Sequence, residues 1–221
     1  LLATVRHVSD NIAHDLRTPL TRLSIRIELA ARDAPATVRD ELEASVDDAD
    51  QLLATFAALL RIARIESGSY DAQYEVLEVG TLVNDANELY LGVAQDKQLS
   101  LQAEVDGHAL VRGDRNLLFQ ALTNLLDNAI KHSPVGALVK VEVRSDAATV
   151  VIDVRDAGPG IPADEYERVT QRFTRLDQSR SLPGSGLGLS LVKAVADLHG
   201  GGLVFSDNGP GLCASLRLPR V

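Results

Sequence analysis

The sequence predicts two units: an antiparallel two-helix hairpin that forms a dimeric four-helix bundle, then an α/β sandwich in which a mixed sheet lies under helices. Three observations predict this. Apolar residues recur at three- and four-residue steps through the first part of the chain. After Tyr70 the pattern changes to alternating strands interleaved with helices. Aromatics make up only 4% of the 221 residues and Trp and Met are absent, so Leu, Val, Ile and Ala must build the cores. The expected boundaries are 1–68 and 69–221.

In the first unit Leu16, Leu20, Leu23 and Ile27 share one helical face. Thr18-Pro19 interrupts that face, and because the spacing continues on both sides the proline predicts a bend rather than a break. "RDAPAT" then predicts a turn. Thr37 is the expected N-cap of a second helix, with Asp40 and Glu41 in its first turn. That helix carries Val38, Leu42, Val46, Ala49, Leu53, Phe56, Leu60 and Ala63 on one stripe and ends near "ESGS". Such a hairpin leaves half its apolar stripe uncovered, so a dimer is the expected way to bury it. The acidic run from Asp40 to Asp50 reads as a solvated face.

In the second unit "YEVLEV" alternates as a strand, 80–97 reads as a helix and "LSLQAEV" as a strand. Residues 115–132 carry Leu117, Leu118, Ala121, Leu122, Leu125 and Ile130 at helical spacing. "ALVKVEVRSD" and "ATVVIDVRDAG" form a hairpin signal, a last helix is expected over 187–198, and "GGLVFSDNGPGLCASLRLP" reads as strand, turn, strand.

The net charge of −9 argues against a nucleic-acid surface, which needs clustered Lys and Arg. Cys213 is the only cysteine, so no intramolecular disulfide or thiolate zinc site is expected, and a reducing compartment fits. No apolar run approaches the roughly 18 residues that span a bilayer. The opening "LLATVRHVSD" has no signal-peptide pattern and no initiator Met, so a fragment of something longer is expected.

Three segments of the second unit point to one chemistry. Asn124, Asn128 and Lys131 lie on one helical face; amide oxygens suit Mg²⁺ and an ammonium suits phosphate, although a solvated polar face would look the same. "DAGPGI" sets Asp156 before Gly158 and Gly160, in a turn whose backbone can approach a ligand and whose carboxylate can accept from an exocyclic amine. A plain surface turn is the alternative. "GSGLGLSLV" puts Gly184, Gly186 and Gly188 at a helix start, where backbone N–H groups favour anions. It is neither a Walker loop nor a dinucleotide fingerprint. Between them "QRFTRLDQSRSLP" suits a lid over phosphates, anchored by Phe173.

The order of these segments, an asparagine-bearing helix, D-x-G-x-G, F-x-R and G-x-G-L-G-L, resembles the ATP-binding domain of sensor histidine kinases, within the superfamily that includes DNA gyrase and heat-shock chaperone ATPases. With "HDLRTPLTRL" ahead of it, almost the whole chain resembles the dimerisation and phosphotransfer hairpin plus catalytic domain of a bacterial two-component sensor kinase. The resemblance implies ATP-dependent phosphorylation of His14, then transfer to an aspartate of a response regulator, with phosphatase activity toward that regulator. Asp15 matches the general base and Thr18 the residue that helps place water for dephosphorylation. Asn128 matches the Mg²⁺ ligand, Asn124 a supporting polar contact and Lys131 a phosphate contact. His132 stands where an aromatic is common, near ribose or phosphates. Asp156 matches the adenine-amine acceptor, while Arg175 and Arg180 are the candidates for the γ-phosphate. Gly184, Gly186 and Gly188 belong to the phosphate-side loop with Leu187, and Leu187 and Leu189 pack more than they bind. The implied partners are a second copy of the chain and a response regulator. The implied setting is the cytoplasmic part of an inner-membrane protein anchored by upstream segments. Thr174 and Leu212 depart from the family, which often has an aromatic and a small hydroxyl residue there.

Overall fold

The described part of the N-terminal unit holds two helical stretches, the second preceded by Ala34 and Pro35 and followed by a turn to Tyr70. The computed structural model describes residues 19, 21–23, 25–32, 34–176 and 184–221. The chain divides into two compact units, Leu1–Tyr70 and Asp71–Val221. In the first, residues 21–23 and 25–32 are helical (α1) and Ala36–Glu66 form α2. Pro35, not Thr37, occupies the N-cap of α2, with no side-chain cap bond. Its carbonyl accepts from the N–H groups of Val38 and Arg39 at 2.9 and 3.1 Å. Proline suits this place because its φ of −56° is preset and its missing N–H would have had no helical partner. Asp40 and Glu41 consequently fall beyond the first turn. Arg39 reaches back, donating through Nε to Ala31 O at 3.2 Å and through Nη2 to Ala34 O at 3.1 Å, which satisfies carbonyls where α1 ends. Along α2 the positions Leu42, Val46, Ala49, Leu53, Phe56, Leu60 and Ala63 are half-buried or buried, while Leu52 is 60% exposed. The helix ends before "SGS", as the sequence predicts.

In the second unit a five-stranded mixed sheet has the order β2-β4-β5-β7-β6. Its strands are β2 (Ser100–Val105), β4 (Leu138–Ser145), β5 (Thr149–Arg155), β6 (Gly202–Asp207) and β7 (Leu212–Pro219). Only β2 and β4 run parallel. Register lines Val141, Val154 and Ala214 in one row and Val143, Ile152 and Leu216 in the next. All six are buried. Helices α3 (Val79–Asp96), α4 (Arg115–His132) and α5 (Gly188–Leu198) form the other layer, with α4 packed against both α3 and α5. The strand predicted at "YEVLEV" exists as β1 (Tyr74–Glu78), but it pairs outside the main sheet with β3 (Leu110–Asp114). "LVRGD" carries no strand pattern of its own, since Gly and Asp are disfavoured in strands; its pairing comes from tertiary contact.

A buried polar junction places α4. Asp114 is its N-cap: Oδ1 accepts from Leu117 N–H at 3.0 Å and Oδ2 from Gln73 N–H at 3.0 Å. The Asp114 N–H donates to His199 Nε2 at 3.0 Å, while His199 Nδ1 pairs with Val195 O at 2.7 Å. With one nitrogen accepting and the other facing a carbonyl, the imidazole is held neutral with its proton on Nδ1. Burial is the main cause that lowers the His199 pKa from the ordinary 6.5; the Val195 carbonyl and Asp114 oppose it.

The unfolded chain therefore takes up this proton before the folded one, and stability is lost as pH falls below about 6.5. Thermal unfolding of the full chain is expected to show Tm falling with acid over that range. His199→Gln, which keeps an acceptor and removes the titration, should flatten the fall. An unchanged pH profile in the variant would place the sensitivity elsewhere.

Candidate functional site

Helix α4 uses two faces for two purposes. Leu117, Leu118, Ala121, Leu122, Leu125, Leu126, Ala129 and Ile130 are buried in the core. Asn124, Asp127, Asn128, Lys131 and His132 line a cavity of about 250 Å³. At the helix end, Lys97 Nζ donates to Ile130 O at 2.6 Å and Lys131 O at 2.7 Å, satisfying last-turn carbonyls.

The turn after β5 supplies a second wall. Asp156 Oδ1 accepts from Gly158 N–H at 2.8 Å and Leu212 N–H at 3.1 Å, so neither bond uses Oδ2. Burial raises the Asp156 pKa from the ordinary carboxylate value, and the two backbone donors oppose that rise. Below the turn, Arg155 Nη1 donates to Asn208 Oδ1 at 3.4 Å, and Asn208 Nδ2 donates to the Asp156 carbonyl at 2.8 Å. Gly158 is required by close approach: a Cβ there would lie 2.8 Å from the His132 carbonyl oxygen. This contact joins the turn to the end of α4.

The third wall combines the segment before α5 with Arg175. Gly184, Ser185, Gly186 and Gly188 line the cavity with Thr174, Arg175 and Leu176. Arg175 Nη1 donates to Gly184 O at 3.0 Å. Phe173 N–H donates to Gly186 O at 3.0 Å, though the Phe173 side chain is exposed. Gly184 has a φ of +149°, a conformation that favours glycine, and a Cβ there would stand 2.6 Å from Lys131 Nζ, so the loop lies close over that ammonium. Burial first, and then Arg175, lower the Lys131 pKa, with Asp127 opposing. Pro159, Ile161, Val169, Leu189 and Leu212 add apolar lining near Asp156.

Of the residues the sequence singles out, Asn124, Asn128, Lys131, His132, Asp156, Gly160, Arg175, Gly184, Gly186 and Gly188 come together around this one cavity. Gly158 stands behind it. Leu187 does not line it: the side chain is 1% exposed in the core, and its carbonyl accepts from Leu191 N–H at 2.9 Å and Ser190 Oγ at 2.9 Å. Leu189 faces the cavity instead, because the turn into α5 at Gly188 brings residue 189 round to the open side. His14, Asp15, Thr18 and Arg180 lie outside the described residues. Asp127 and Val169 were not marked by sequence; the only signal for Asp127 was its place beside Asn128.

Comparison with known proteins agrees with this geometry. Residues 4–68 match the family described as His Kinase A (phospho-acceptor) domain. Residues 113–221 match the histidine kinase-, DNA gyrase B-, and HSP90-like ATPases. The solved structure of mycobacterial sensor histidine kinase MprB is 34% identical, with 67% of this chain covering 98% of that chain at a TM-score of 0.59. The chain belongs to the sensor histidine kinases. Among curated members, the sensor-like histidine kinase SenX3 of Mycolicibacterium smegmatis is 34% identical over 99% of this chain and 58% of its own length. Sensor protein IrlS of Burkholderia pseudomallei is 35% identical over 87% of this chain and 42% of its own. The chain thus spans about half the length of these kinases. Full-length ShkA in complex with AMPPNP shares the fold across 97% of this chain and 46% of that chain, at a TM-score of 0.84 and 23% identity.

The contrast between the two leucines is testable by denaturant unfolding. Leu187→Ala should cost about 2–5 kcal/mol of stability, as buried leucine truncations do. Leu189→Ala should cost clearly less. Equal losses would mean that both side chains are core.

Proposed function

We propose that this chain is the catalytic core of a sensor histidine kinase: it binds ATP in the cavity of the second unit, phosphorylates His14 and passes the phosphoryl group to an aspartate of a response regulator. The observation that carries this reading is the convergence on one cavity of a hydrogen-bonded carboxylate, two amide side chains, two cations and a glycine-lined helix start. Asp156 receives the adenine amine on Oδ2, with Ile161, Val169 and Leu212 against the base. Lys131 and Arg175 neutralise charge that develops on the terminal phosphates. Arg180 adds to them, and the N–H groups before α5 hold the phosphate chain.

The site fits Mg²⁺ on its own chemistry. Asn124 Nδ2 is a donor buried without a hydrogen-bond partner among the described residues, which calls for a substrate oxygen and leaves the ion to carboxamide oxygens. The α4 face offers carboxamide oxygens, and no group of three or more His, Cys, Asp or Glu occurs among the described residues. That donor set suits an ion that takes one or two protein oxygens and completes its shell with water and substrate phosphates. Asn128 is the proposed ligand, and Mg²⁺ held there would offset phosphate charge.

The neutral His14 imidazole attacks the γ-phosphorus, the bond to the β-bridging oxygen breaks, and ADP leaves. Asp15 takes the proton from the other ring nitrogen. Thr18 helps place the water that later removes phosphate from the regulator. Leu23, Leu29, Val38 and Leu52 are exposed large hydrophobics in the single copy, which supports a dimer through the helical hairpin. No described helix is long and apolar enough to cross a membrane. Attachment to a membrane is proposed through segments outside this sequence.

Incubation with radiolabelled ATP should give an acid-labile, alkali-stable phosphate on the chain, lost in His14→Gln. Label persisting in that variant would overturn the assignment. Asn128→Asp is expected to reduce Mg-ATP turnover by at least an order of magnitude while Tm stays within a few degrees, since Asn128 is half-buried on the cavity wall and not among the core residues of α4.

A further inference from the structure

His132 is the last residue of α4, half-buried on the wall it shares with Lys131 and Arg175. Its position is set from two sides. Gly158 closes against its carbonyl oxygen, and Lys97 bonds the two carbonyls before it. The second contact matters electrostatically. Exposed carbonyls at a helix C-terminus favour a protonated imidazole, and here an ammonium has already neutralised them. His132 lines the cavity, and among the described residues neither of its ring nitrogens has a hydrogen-bond partner, which leaves one ring lone pair free.

The charged groups around it come from three elements. Lys131 lies on α4, Lys97 at the end of α3 and Arg175 on the segment after Phe173. The acidic groups of the same cavity are Asp127 on α4 and Asp156 on the facing turn. The cations prevail: burial first, then Lys131, Lys97 and Arg175, push the imidazole below its ordinary 6.5. A neutral ring among fixed cations is therefore the state of the cavity without an anion. A polyphosphate seated there reverses the local potential.

We propose that His132 couples nucleotide binding to pH: when a nucleotide di- or triphosphate enters beside Lys131 and Arg175, the free ring nitrogen of His132 takes up a proton from solvent and becomes a further cation against the phosphates. The only bond formed is N–H on the imidazole, and the proton comes from water or buffer. By linkage, binding that draws in a proton is favoured by acid. The chain then binds nucleotide more tightly as the medium acidifies through the range in which an imidazole titrates. This rests on the nucleotide-site reading above and adds its regulation.

The test is calorimetric titration of the full chain with Mg-ADP at pH 6.0 and 7.5, in two buffers of different ionisation enthalpy. The wild type should take up a few tenths of a proton per ADP, and its Kd should tighten about threefold from pH 7.5 to 6.0. Phosphate itself ionises near pH 6, so the comparison is with His132→Gln and His132→Tyr, in which both effects should shrink to what the nucleotide alone contributes. His108→Gln, on an exposed histidine outside the cavity, should behave as the wild type. Proton uptake equal in wild type and both His132 variants overturns the inference while leaving the ATP site intact. If Mg-ADP does not bind the wild type at all, the nucleotide-site reading falls with it.

Discussion

The placement of α4 depends on one buried carboxylate. Asp114 ends β3, caps α4, receives the backbone of Gln73 just before β1, and through its own N–H meets His199 at the end of α5. A carboxylate in such a place is costly unless every bond it can make is made. Satisfying Asp114 therefore fixes four chain segments relative to each other. Gly113 shows how tightly the junction closes, since a Cβ there would meet Leu118 Cδ1 at 2.6 Å and His199 Cδ2 at 2.8 Å. Tyr74 covers it, with its ring 5.3 Å from that of His199 and its hydroxyl donating to Leu198 O at 2.9 Å. Because α4 also carries the amide and ammonium groups of the cavity, the geometry of the site is inherited from a junction at the opposite end of the helix.

The other wall of the cavity is supported from the polar face of the sheet. Asp153 is buried there and accepts from Ser215 Oγ at 2.6 Å, from Arg155 Nη2 at 3.3 Å and from Arg144. Register sets Glu142 opposite Asp153 and Lys140 opposite Arg155, like charges that would repel if left alone. The side chains resolve this with a diagonal pair, Arg155 to Glu142 at 2.7 Å, and a pair along β4, Lys140 to Glu142 at 2.8 Å. Arg155 also contacts Asn208, which holds the Asp156 carbonyl. The sheet's charge network and the turn that presents Asp156 are thus one connected structure.

Legibility in the sequence followed the range of the forces involved. Helix α4 is legible with its observed ends, Arg115 and His132, because the leucine spacing acts within a few residues. The β4–β5 hairpin was legible for the same reason. Strand β3 was not, since "LVRGD" pairs with β1 across more than thirty residues and owes its form to the Asp114 junction. Thr37 looked like the cap of α2 by residue type, yet Pro35 started the helix earlier through its preset φ. Leu187 was grouped with the glycine loop, and the turn at Gly188 sent it inward and Leu189 toward the cavity. Asp127 gave no signal beyond its neighbour, because a cavity wall is defined by what faces it.

By itself the sequence determined the helices and every strand but β3, which residue types gather in the phosphate and adenine motifs, and the order that marks the family. Those properties reside in periodicity and local chemistry. The tertiary structure decided that the motifs, separated by up to sixty residues, enclose one cavity; that Asp156 keeps one oxygen out of its own turn's bonds; and that His132 sits among cations rather than on a solvated helix end. These outcomes depend on packing α4 against α3, α5 and the turn after β5. No short-range pattern encodes the distance between groups that distant parts of the chain bring together.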